Sequence, residues 1–154
     1  RNVNMTLCFT QEQAAAVYSA TKGANPGQVF ISPFIGRLDD IGLNGLDLVR
    51  NIIHLYRQSD HHVQVLAASI RSLDHLRSVI AMGCHIATVP LSILQTWAAA
   101  GFPCDAPAVT SSLSEISYET HDVMRSYTSY NIHHELTDKG LERFARDWNG
   151  LIHS

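Results

Sequence analysis

Charge is scarce in this chain. Only 16% of its residues are Asp, Glu, Lys or Arg, and 11 basic residues face 14 acidic ones for a net charge of −3. With no block of like charge there is no electrostatic footprint for nucleic acid or a membrane surface, although a local cationic pocket stays open. No apolar run is long enough to span a bilayer, and the first residues lack the basic, apolar and small-residue regions of a secretion signal. A cytoplasmic setting is the resulting expectation. Cysteine is sparse too: Cys8, Cys84 and Cys104 are odd in number and far apart. That predicts reduced thiols, buried or inert, rather than a disulfide framework or a CxxC metal site.

What is present is an ordinary globular composition, 45% hydrophobic over 154 residues. A single domain of that length hides roughly 70% of its unfolded surface, enough for a core without staples. The chain opens on Arg1 and runs directly into a strand-like segment, so it is expected to begin inside a longer protein. Strand-like Asn2–Phe9 leads to a capping box at Thr10–Gln13 and an Ala-rich helix ending at Lys22-Gly23. Gln28–Ser32 repeats the strand signal, and after a polar loop Leu46, Val49, Ile52, Ile53 and Tyr56 recur at helical spacing. Val63–Ser69 with a helix over Ser72–Met82 forms a third unit, and Cys84–Val89 with a helix over Leu91–Ala100 a fourth. Four consecutive βα units predict parallel strands and an α/β architecture. Periodicity then vanishes from Phe102 to Leu136, and Thr137-Asp138 caps a last amphipathic helix carrying Leu141, Phe144, Trp148 and Leu151. Residues 1–101, 102–136 and 137–154 are therefore read as βα units, irregular excursion and docking helix.

Strands covered on both faces should be almost continuously apolar, yet each of these carries polar residues: Asn4 and Thr6, then Ser32, Ser69 and Thr88. They cluster toward the carboxyl ends, where open α/β sheets and β/α barrels build ligand sites. Either these groups satisfy one another or they line a polar pocket. Arg37 and Arg71 follow two of the strand ends, and Arg71 precedes the N-terminus of a helix. Guanidinium forks suit phosphate or sulfonate oxygens, and a helix N-terminus attracts anions. Surface pairing with Asp39, Asp40 or Asp74 is the alternative.

Five segments in order, Asn-Met-Thr-Leu-Cys-Phe (4–9), Ile-Ser-Pro-Phe-Ile-Gly-Arg-Leu-Asp-Asp (31–40), Val-Leu-Ala-Ala-Ser-Ile-Arg (65–71), Ile-Ala-Thr-Val-Pro (86–90) and Leu-Thr-Asp-Lys-Gly (136–140), resemble the bacterial transaldolase family over nearly the whole chain. The resemblance implies an (β/α)8 TIM barrel, of which this chain supplies about the last four βα units plus a C-terminal helix. It implies transfer of a dihydroxyacetone unit between sugar phosphates, from sedoheptulose 7-phosphate to glyceraldehyde 3-phosphate to give erythrose 4-phosphate and fructose 6-phosphate. The chemistry runs through a lysine Schiff base, with no metal and no organic cofactor. By motif, Asn4 and Ser32 would bond the dihydroxyacetone part, Thr6 would hold a proton-shuttling water, and Arg37, Ser69 and Arg71 would grip the phosphate. Phe34 resembles transaldolases, whereas the related fructose-6-phosphate aldolases usually carry Tyr there.

One departure is large. The family's Schiff-base lysine and acidic partners precede the motif that opens this chain, and only Lys22 and Lys139 occur here, neither at a strand end. The resemblance therefore implies a C-terminal half that needs an N-terminal half-barrel chain or segment. An inactive anion-binding or oligomerisation module, a fructose-6-phosphate aldolase-like enzyme and a sulfosugar transaldolase remain alternatives, and homo-oligomerisation is left open. A second departure is His85, where the family commonly has an acid. The nine histidines show no zinc spacing, and the adjacent pairs His61-His62 and His133-His134, in polar connectors, are expected to be solvated. Ser69 with His75 lacks both a GxSxG motif and an evident acidic orienter, and Cys84-His85 neighbours on a strand would point apart. Asp39-Asp40 is expected to fix the loop around Arg37.

Overall fold

The structure, a computed structural model, describes residues 1–57, 60–108 and 111–152. The chain runs through β1 (Val3–Cys8), α1 (Gln11–Ala20), β2 (Val29–Pro33), α2 (Ile35–Asp39), α3 (Gly45–Tyr56), β3 (Val63–Ala67), α4 (Leu73–Ala81), β4 (Ile86–Ala87) and α5 (Leu91–Ala99). An irregular stretch with a 3-10 turn at Tyr127–Ser129 leads to α6 (Glu135–Ile152). The strands form one parallel sheet in the order β1-β2-β3-β4, the α/β arrangement that alternating units require.

Local chemistry sets the helix starts. The capping box forms: Gln13 N–H donates to Thr10 Oγ1 at 3.0 Å, and Thr10 N–H donates to Gln13 Oε1 at 3.2 Å. Asn44 and Ser72 cap α3 and α4 by accepting from the amides of Leu46 and His75.

Register divides the sheet into two unlike faces. Val29 pairs with Val63 and Ile31 with Val65, and these four lie on one face, buried at 0 to 3% exposure under the helices. The opposite face carries Asn4, Phe30, Ser32, Gln64 and Leu66, and apart from Ser32 it is incompletely covered. Toward the sheet's edges even the helix side is open. Met5, register partner of Ile31, is 46% exposed, and none of α5 is buried.

Two local expectations need correction. The polar loop after β2 contains α2, a short helix held by buried Ile35 and Leu38. The last helix begins at Glu135, not behind a cap at Thr137-Asp138. Thr137 is used for tertiary contacts, its hydroxyl donating to the Leu7 carbonyl at 2.9 Å and accepting from Gln13 Nε2 at 2.9 Å. His134 takes the capping role instead, its Nδ1 accepting from Leu136 N–H at 3.2 Å. Gly140 is the sole buried residue among the described residues of α6, packed so closely on Leu7 that a Cβ would collide with it, while Leu141, Phe144, Trp148 and Leu151, expected to dock the helix, are exposed.

The histidine and cysteine expectations hold only in part. His62 is 1% exposed, with Nδ1 2.5 Å from Asp60 Oδ1, Nε2 3.1 Å from Thr21 Oγ1, and the Tyr18 ring packed on it. Cys8 is buried, with its thiol pushed up to about 12 by burial, and Cys84 is half-buried, but Cys104 is exposed. No helix is long and apolar enough to cross a membrane among the described residues, and these residues form no metal-holding cluster of His, Cys, Asp or Glu.

Candidate functional site

Of the polar strand residues, Ser32 lies near the carboxyl end of β2 and Asn4 near the amino end of β1, both on the open face. Ser32, buried at 1% exposure, donates to Asn4 Oδ1 at 2.8 Å, so the two groups satisfy each other across β1 and β2. A buried hydroxyl without that acceptor would cost about 1–3 kcal/mol. Strand alternation places Thr6 with Asn4, and the Thr6 hydroxyl makes no hydrogen bond among the described residues.

Two of the four non-glycine residues with left-handed φ among the described residues lie near the carboxyl ends of β1 and β3, the others being His61 and Phe102. Leu7 and Ser69 adopt φ of 57° and 59°, left-handed values that cost L-residues roughly 1–2 kcal/mol each. Leu7 is held there by α6 through the Thr137 hydrogen bond and by contact with Gly140. Ser69 turns the chain out of β3, and its carbonyl accepts from Gly36 N–H at 3.1 Å. Ser69 also lines a cavity of about 280 Å³ with Ile70, Thr88, Val89 and Pro90, beyond the ends of β3 and β4. A larger cavity of about 570 Å³ lies elsewhere, lined by Asp39, Asn44, Arg50, Ser72 and His75 among others, and reaches none of Asn4, Thr6, Ser32 or Ser69.

The two arginines sit past neighbouring strand ends but are held differently. Arg37, on α2, lies with its guanidinium carbon 5.2 Å from the Phe34 ring centre and 5.9 Å from that of Phe144 on α6. Its guanidinium makes no hydrogen bond or ion pair among the described residues. Arg71 forks onto Asp40, with Nη2 2.7 Å from Oδ2 and Nη1 on Oδ1. Gly36 makes this approach feasible, since a Cβ there would run into Arg71 Nε and Cδ and the Ser69 carbonyl. Arg71, then Arg37 at longer range, holds the Asp40 carboxyl below the usual carboxylate value.

The acidic pair anchors the segment that carries Arg37, and it does so by holding Arg71 and His75. Asp39 Oδ2 lies 3.0 Å from His75 Nε2, and its Oδ1 accepts from Gly45 N–H at 3.0 Å, tying α2, α3 and α4 together. His75 therefore has the acidic neighbour that the sequence did not reveal. Burial pushes its imidazole below the ordinary value, against the opposing pull of Asp39. Its Nδ1 faces the Arg71 amide at 3.4 Å, and no bond joins it to the Ser69 hydroxyl. Cys84 and His85 do not pair as nucleophile and base. The Cys84 thiol is raised by burial and donates to carbonyls of β3 and β4, while His85 Nδ1 accepts the Val65 amide at 3.2 Å.

Sequence comparison accounts for this collection of strand-end motifs. The model of the transaldolase/fructose-6-phosphate aldolase family matches residues 1–154. The chain belongs to that family. It is 38% identical over 148 residues to a probable transaldolase of Chelativorans sp., covering 96% of this chain and 50% of that protein. Against probable transaldolases of Brucella anthropi and Alkaliphilus metalliredigens the identities are 36% over 146 residues and 35% over 149. Those matches take in 95% and 97% of this chain but 49% and 51% of the relatives. The chain thus spans about half the length of the curated relatives it matches.

Proposed function

We propose that the chain forms the last four βα units of an eight-stranded β/α barrel and supplies the sugar-phosphate half of a transaldolase site. The observation that carries this reading is the placing of Ser32, Ser69, Arg37 and Arg71 at or just past the carboxyl ends of the adjacent parallel strands β2 and β3, with Asn4 of β1 bonded to Ser32. In this reading the open sheet face is the barrel interior. Asn4 and Ser32 bond the hydroxyl and carbonyl oxygens of the dihydroxyacetone unit, with Phe34 forming the wall. Arg37, Arg71 and the Ser69 hydroxyl hold the phosphate, and anchoring that end fixes the carbon chain against the nucleophile. Thr6, with its hydroxyl uncommitted, holds the water that carries protons during carbinolamine formation and loss.

The nucleophile lies outside these residues. Lys22 donates to the Met124 carbonyl at 3.0 Å, and Lys139 is paired with Glu135 on α6. A lysine of the complementary half attacks the ketone and loses water to form the imine; the C–C bond one carbon removed from the imine carbon then breaks as the hydroxyl on the departing carbon gives up its proton, releasing an aldose phosphate and leaving the enamine. The remaining enamine adds to an acceptor aldehyde, and hydrolysis frees the new ketose phosphate and the amine. Alone, the chain binds without turnover.

Borohydride reduction with fructose 6-phosphate, read by intact mass, tests this. The sample is the chain mixed with a polypeptide corresponding to the first half of the Chelativorans relative. A three-carbon adduct on the second polypeptide is expected, and none on the chain by itself. An adduct on Lys22 or Lys139 would overturn the assignment.

A further inference from the structure

We propose that Asp40 is an internal ligand of the anion site: in the empty site its carboxylate occupies the Arg71 fork, and an incoming phosphate has to displace it. The inference rests on the reading of Arg71 as a phosphate ligand. Its geometry is specific. Both Nη atoms of Arg71 are committed to the two oxygens of one carboxylate, the side-by-side arrangement a phosphate would also use. Nε is packed over Gly36, so the Nη pair is the fork a ligand would have to engage.

Asp40 also stands where an external anion would be drawn, since the two arginines both act on it. Arg37 is different, because its guanidinium carries no carboxylate partner among the described residues and is flanked by the Phe34 and Phe144 rings. One arginine is therefore open to a ligand while the other is occupied by an anion of the protein. Exchange requires no unfolding, as the side chains of Arg71 and Asp40 are 47% and 55% exposed. A phosphate monoester carries more charge than the carboxylate it replaces and has three acceptor oxygens against two. Between ligands, Asp40 keeps Arg71 extended toward the site.

Calorimetric titration of the full chain and its variants with inorganic phosphate tests the proposal. D40N should bind phosphate about two- to tenfold more tightly, the gain expected from removing a half-exposed competitor and its charge. R71A should weaken binding severely. In arginine-labelled wild-type chain, the Arg71 Nε–H resonance should move on adding phosphate. In D40N it should start from a different, unpaired position and end near the same one. Weaker or unchanged phosphate binding in D40N, with R71A still impaired, would overturn the proposal and leave Arg71 a phosphate ligand supported by Asp40. Wild-type affinity in R71A would remove the phosphate reading itself, and the proposal with it. Should D40N lose its circular dichroism spectrum, D40S provides the same test.

Discussion

Ile31 and Met5 are register partners on neighbouring strands and point to the same side of the sheet, yet one is 0% exposed and the other 46%. Around Ile31, on β2 and β3, the helices close over an apolar layer of Val29, Val63, Val65 and Ala67. Around Met5 and Val3, and again on α5, apolar side chains such as Leu91 and Leu94 stay open. The centre of the sheet is a finished core, and its two edges are surfaces of the kind a barrel would close. The candidate site occupies neither layer. It lies on the opposite face, where polar groups are held by one another and by strained turns at the strand ends.

The largest effect should come from cutting into the finished region. Ile31→Ala is expected to cost about 2–5 kcal/mol in urea unfolding, by lost burial and the cavity left. Met5→Ala should cost under about 1 kcal/mol, since the side chain is half in water. Equal costs would break the comparison and mean that something covers β1 in solution.

Gly36→Ala comes next. The added methyl meets Arg71 and the Ser69 backbone, so about 1–3 kcal/mol of stability should be lost to overpacking. Phosphate affinity measured by calorimetry should fall at the same time, because Arg71 is displaced. Thr137→Val should cost about 1 kcal/mol in the same unfolding assay by removing the partner of the Leu7 carbonyl and Gln13 Nε2. Its effect should reach Leu7, the strained residue below the site, and appear as shifted amide resonances there.

The element order was legible from periodicity, caps and glycine stops, because these are local signals. Thr10–Gln13 reads as a capping box and forms one. What stayed hidden was set by contacts between distant segments. The start of α6 depends on where Thr137 meets Leu7, and α2 on burial of Ile35 and Leu38. The candidate site residues were legible only through polar groups breaking apolar strands and through family motifs. The Asp40–Arg71 fork and the Asp39–His75 pair span 31 and 36 residues, which no spacing rule connects. His62 was misread for the same reason: its partners Thr21 and Tyr18 lie on the first βα unit.

The smallest effect is acid-limited. The hydrogen bond from His62, and after it that from Tyr18, holds the Asp60 carboxyl down at about 2. A carboxyl depressed in the folded state adds stability that is present above its unfolded value of about 3.9 and lost as pH falls through the folded one. The loss should fall between about pH 4 and pH 2 and be modest, because Asp60 is 61% exposed and screened. Asp60→Asn should flatten that part of the stability profile without changing phosphate affinity, since this network lies apart from the strand ends.

The central claim, that the open face recognises the phosphate of a sugar through Arg37 and Arg71, is tested most directly by arginine-labelled NMR. The chain is titrated with fructose 6-phosphate and, separately, with fructose. Saturable shifts of both Arg37 and Arg71 side-chain resonances with the phosphate ester, and none with the free sugar, are the predicted result. Equal responses to the two sugars, or arginine signals that stay in place throughout, would contradict it.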